Sequence, residues 1–104
     1  MAKAREFEKE GRKFYSGAKL ALALNQSIVC LRMHITKYRT IPITRYRRLR
    51  NGTPDVLLYT EDQIKSVAKT FDSLGSSPKN ADKIRDAISE AWALSDDIGK
   101  EEYI

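Results

Sequence analysis

One cysteine and one histidine are all that this 104-residue chain offers to a disulfide or a soft metal. Cys30 has no partner for an internal bridge, and Cys30 with His34 is too small a set for a structural zinc site. That usage fits a reducing compartment. No apolar run approaches the ~20 residues that span a bilayer, so no membrane association is expected. The opening stretch MAKAREFEKEGRKFY lacks the apolar centre of a secretory signal, and the expected location is the cytoplasm. A glycine-rich phosphate loop, an HExxH pair and a GxSxG elbow are all missing. With one histidine, a Ser-His-Asp system would have to be built on His34, whose neighbours are apolar and basic. The chain reads as a non-enzyme that calls for no cofactor and no metal. The pairs Asp96-Asp97 and Glu101-Glu102 read as solubilising charge rather than as acid–base machinery.

What is present is charge, unevenly spread. Apolar residues make up 41% and charged residues 32%, a balance suited to a single domain with a modest core. Net charge is +5, but residues 1–50 hold thirteen Lys/Arg against three Asp/Glu. Residues 51–79 hold three against four, and residues 80–104 hold three against seven. From Arg32 to Arg50 there are seven basic residues and no acidic one. Such a block favours polyanions, of which phosphate backbones are the commonest.

Five segments carry helical signals. Positions 3–10, KAREFEKE, read as a frayed helix with Phe7 as its one large apolar residue. Ser16 can cap a helix bearing Leu20, Ala21 and Leu24, which Asn25 can end in left-handed geometry. Ser27 can cap a second, with Ile28, Leu31, Ile35 and Tyr38 on one side. Pro42 stops that helix. TRYRRLR, Asn51-Gly52 and VLLY read as strand, turn, strand, with Pro54-Asp55 extending the loop. Thr60 and Gln63 form a capping box before Ile64, Val67, Ala68 and Phe71. After the linker GSSPKN, a last helix repeats Ile84, Ile88, Ala91 and Ile98 with Trp92 beside them. Those residues either pack on the domain or pair with a second copy, which leaves room for a homodimer.

Positions 15–67 resemble the winged helix-turn-helix of the MerR regulators and the related phage excisionases. Ser27, Leu31-Arg32, Pro42, Arg45 to Arg50 and Tyr59-Thr60-Glu61-Asp62 follow that family's order and approximate spacing. The turn differs, having Asn25-Gln26 where the family has Gly and an apolar residue. The loop of the wing is longer by Thr53 to Asp55. The expected fold class is mainly α: a small winged helix-turn-helix with a short two-stranded β-ribbon and an added C-terminal helix. Its parts are a basic N-terminal arm (1–14), the winged domain (15–74), a linker (75–81), and a C-terminal helix with an acidic tail (82–104).

The resemblance implies a double-stranded DNA partner, with the second helix in the major groove and the arginine ribbon on the minor groove or its phosphates. Gln26, Ser27 and Arg32 would face base edges, and Val29 and Met33 would touch thymine methyls. The alternative keeps Val29, Cys30 and Met33 in a core, and Cys30 by itself reads as a small buried residue. Lys37 and Arg39 suit phosphates. His34 reads as structural or as a modest phosphate contact. Arg45, Arg47, Arg48 and Arg50 cannot all face one way, since strand residues alternate. If ~5 phosphates are neutralised, the log–log salt slope of binding is about −4 to −5. The expected role is a transcriptional regulator or an excisionase-like accessory of recombination. A different class is an assembly or packaging module whose basic face meets an acidic protein, with Trp92 in an oligomer contact. RNA is the weaker partner, for want of aromatic residues on a clear sheet.

Overall fold

Glu10 and Gly11 both take positive φ (53° and 78°), and that tight turn is the first departure from expectation in the computed structural model of the chain. It describes residues 6–50, 53–94 and 101–104, and for residues 50 and 53–55 the backbone alone. Two positive-φ residues make a turn whose twist suits a hairpin. Strand β1 (Glu6–Lys9) returns as β2 (Arg12–Ser16), with Phe7 opposite Phe14 and Lys9 opposite Arg12. Of the stretch read as a frayed helix, residues 6–9 are therefore strand, and residues 3–5 lie outside the described residues.

Helices α1 (Gly17–Ala23) and α2 (Ile28–Thr36) follow. Asn25 is left-handed (φ 53°), and the Asn25 and Gln26 amides return to the carbonyls of Leu22 and Ala21. This is the paired-amide ending in which Asn can stand in for glycine. Ser27 caps α2, its hydroxyl accepting from the Cys30 amide at 3.1 Å. Strands β3 (Tyr46–Arg50) and β4 (Thr53–Thr60) pair antiparallel. The loop expected at Thr53 to Asp55 is thus strand; Asn51-Gly52 lies outside the described residues. A register shift between Arg48 and Arg50 marks a bulge at Leu49.

Helix α3 (Glu61–Leu74) begins at a full capping box. Thr60 Oγ1 accepts from the Gln63 amide, and Gln63 Oε1 accepts from the Thr60 amide at 2.9 Å. After a 3-10 turn at Pro78–Asn80 comes α4 (Ala81–Leu94), and the short β5 (Glu102–Tyr103) closes the order β1-β2-β4-β3-β5. All pairings are antiparallel except β3 with β5.

The fold class is therefore corrected. Instead of a mainly α winged helix with a two-stranded ribbon, four α-helices lie against a five-stranded mixed sheet. Three further strands, β1, β2 and β5, cause the difference, and none signals itself locally. Glu-Gly is a weaker turn signal than Asn-Gly, and a two-residue strand has no period of its own. β5 is specified by its partners: the Glu102 and Ile104 amides donate to the carbonyls of Arg45 and Arg47 at 2.7 and 2.8 Å.

The sheet carries a core on each face. On one, Tyr59 joins Leu20, Ala21 and Leu31 from the helix pair, Val67 from α3, and Ile84, Ile88 and Trp92 from α4. Ala91 packs against this core. The C-terminal helix thus uses its apolar stripe inside its own domain, and Ile98 lies outside the described residues. On the other face, Phe14, Tyr46 and Leu58 are buried beneath Phe7, Val56 and Ile104, all from strands or their ends. Among the described residues, no helix is long and apolar enough to cross a membrane.

Candidate nucleic-acid interface

Helix α2 turns inward on Leu31 and His34, which are buried, with Ile28 and Ile35 half-buried against the core. Its outward side is left to Val29 (66% exposed), Cys30 and Arg32, with Met33 half-buried. The core reading of Val29 and Cys30 is overturned. They lie about 100° and 200° round the helix from Ile28, off the Leu31 side, so neither reaches the core. Lys37 and Arg39 are exposed past its end. Arg39 has φ 54°, a left-handed turn after which the Thr40 and Ile41 amides come back to His34 O. Gln26 is half-buried, lining a cleft of about 290 Å³ with Phe71, Asp72 and Gly75. The Ser27 hydroxyl is committed to its cap.

His34 is structural. Its Nδ1 lies 2.8 Å from Thr40 Oγ1, which itself donates to His34 O. The ring is sandwiched edge-on between Tyr38 and Phe71, and burial holds its pKa below the ordinary value.

The face of the sheet without helices gathers cations that the sequence did not place together. The register sets Lys9 beside Arg12, Phe7 beside Phe14, and Tyr46 across from Leu58. Arg12 donates to Tyr46 Oη at 2.8 Å and lies over the rings of Tyr46 and Phe14. Arg45 covers Tyr46 from 5.4 Å, and Arg48 covers Phe7 from 4.6 Å. Lys9, Arg12, Arg45 and Arg48 thus roof a small aromatic core. Phe14 and Tyr46 are buried beneath them, so these rings are closed to a stacking base. Lys9 and Arg12 went unnoticed because a helical arm gives them no common side with Arg45.

The four arginines of the ribbon divide. Arg48 is exposed, and among the described residues no carboxylate pairs with it. Arg45 and Arg47 are only 23% and 24% exposed at the side chain. Arg47 Nη2 meets Glu101 at 2.8 Å, and Arg45 Nη2 meets Glu102 at 3.4 Å. Glu102 also receives Lys9 Nζ at 3.8 Å. Glu101 and Glu102 are therefore counter-ions of the ribbon rather than loose solubilising charge. Arg50 ends β3, and its side chain is outside the described set. Ile84, Ile88 and Trp92 are buried in the core, so none of them is exposed to a second copy.

Among the described residues, no group of His, Cys, Asp and Glu is arranged to hold a metal ion. Comparison with family models, with curated proteins and with solved structures gives no match.

Proposed function

We propose that this chain binds double-stranded DNA through the outward side of α2, with the basic sheet residues holding phosphates. One observation carries the reading: α2 exposes Val29 and Arg32, with Met33 half-buried and Lys37 exposed at its end, and α2 itself holds no acidic residue. A helix side that is cationic and apolar at once fits a major groove, where Arg reads guanine edges and aliphatic groups meet thymine methyls. Lys37, Arg39 and Arg48 are the exposed cations best suited to phosphates. Regulator and recombination accessory are both open to a protein of this kind.

Selection of bound sequences from random duplex DNA tests the reading. An enriched motif that Arg32→Ala loses, while the variant keeps its circular dichroism spectrum and melting temperature, is the expected result. Equal retention of the wild type and Arg32→Ala, with no motif, removes α2 as the reading surface.

A second reading has one observation in its favour. Leu22 on α1 is 71% exposed, and Val29 on α2 is comparably open. Two large exposed apolar side chains on the helix pair that carries Arg32 also suit an acidic protein partner with an apolar centre. Leu22→Ser separates the two: it leaves duplex binding intact in the first case and abolishes partner capture in the second.

A further inference from the structure

Helices α1 and α3 end at the same cleft, the one of about 290 Å³ that Gln26 lines. Residues 23–26 border it from the end of α1, and Phe71, Asp72, Gly75 and Ser76 border it from the end of α3. Each helix brings the negative end of its dipole, and neither has a basic residue in its last turn to offset it. Asp72 adds a carboxylate in the last turn of α3, where it opposes the dipole and costs stability. Among the described residues no cation pairs with Asp72, although Lys69 lies one turn back.

The other polar side chains of the cleft are equally uncommitted. Asn25, Gln26 and Ser76 make no side-chain hydrogen bond among the described residues. Ser27, Thr60 and Ser77, at helix starts, all have theirs filled by a backbone amide. Beside these polar groups, Leu24, Ala68 and Phe71 are half-buried and supply an apolar lining.

We propose that this cleft binds a small organic ammonium: a protonated primary amine on an apolar body about the size of one ring. The volume lies at the lower end of ligand clefts, which sets that size. An ammonium has three donors and no acceptor, and it suits a carboxylate flanked by side-chain amide oxygens. The apolar body covers Leu24, Ala68 and Phe71. An anion would meet two helix C-termini and Asp72 together, and a neutral ligand would gain the apolar contact alone. The inference does not depend on the DNA reading, and its test uses no nucleic acid.

The full chain is titrated with phenethylammonium, phenylethanol and phenylacetate, which share a ring and differ in charge. Backbone amide shifts of Asn25, Gln26, Gly75 and Ser76 report occupancy. Saturable shifts at these four amides are expected in about the millimolar range, as suits so small a body. Phenethylammonium should bind up to about fivefold more tightly than phenylethanol at low salt, because Asp72 is exposed. Phenylacetate should bind most weakly, and the preference should shrink as salt is added. Asp72→Asn keeps the shape and relieves the opposition to the α3 dipole, so it should melt at or above the wild-type temperature. It should also bind the ammonium and the alcohol alike. Asp86→Asn, which removes an exposed charge on α4, should keep the preference. Three results overturn the proposal: equal affinities for all three ligands in the wild type, a preference that survives Asp72→Asn, or no saturable shift at the four amides.

Discussion

His34 is the residue whose chemistry reaches furthest from its own position. Its pKa is lowered by burial, so the folded protein resists protonation while the unfolded chain titrates near the ordinary 6.5. The unfolded state then binds more protons below that pH, and stability falls as pH drops through 6.5 toward the lowered folded value. Above 6.5 the ring is neutral in both states and contributes no slope. Urea midpoints between pH 7.5 and 5 should decline for the wild type and stay flatter for His34→Leu. Arg39 offers a second residue-level test. Its left-handed φ is costly for an L side chain and natural for glycine. Arg39→Gly should therefore melt at or above the wild-type temperature while binding duplex more weakly. Loss of stability together with binding would assign Arg39 a structural part only.

At the scale of elements, what could be foreseen was whatever a few adjacent residues decide. The Thr60–Gln63 box and the Asn25 ending depend on contacts within five positions, and both were legible. Thr60→Ala should cost about 1 kcal/mol by urea denaturation, toward 2 kcal/mol because the displaced Gln63 is fully buried. Trp92 was ambiguous between packing and pairing, since an apolar stripe does not announce its partner. It lies against Tyr59 and donates Nε1–H to Ser66 Oγ at 2.8 Å. Trp92→Ala should cost about 3–5 kcal/mol, enough to unfold a protein of ordinary stability. β1 and β5 were illegible for the opposite reason to the caps. Their register is written on Phe14, Tyr46 and the carbonyls of Arg45 and Arg47, far away in the chain.

The whole molecule separates its charges more than the sequence halves suggest. Basic residues cluster on α2 and on the helix-free side of the sheet, while α4 carries exposed Asp82 and Asp86. Folding also changes which of the arginines count. Seven basic residues run from Arg32 to Arg50, yet Arg45 and Arg47 already have carboxylate partners. Four exposed cations are left with described side chains: Arg32, Lys37, Arg39 and Arg48. The wild-type salt slope should accordingly be about −3 to −4, shallower than a count of the ribbon's charges implies. A nearly flat dependence in a fluorescence titration would remove the electrostatic basis for DNA binding. The sequence left open whether Val29, Cys30 and Met33 face outward or inward, and both that choice and the pairing of the ribbon with Glu101 and Glu102 required the fold.

Lys9 and Tyr103 touch although 94 positions separate them, and that contact fixes an order of assembly. The β1–β2 and β3–β4 hairpins and the helix pair close over short stretches and form early; the far pairing must wait. During synthesis the chain exposes Arg45 and Arg47 well before Glu101 and Glu102 exist. Residues 1–50, with thirteen Lys/Arg against three Asp/Glu, are therefore more cationic by themselves than after β5 has joined them.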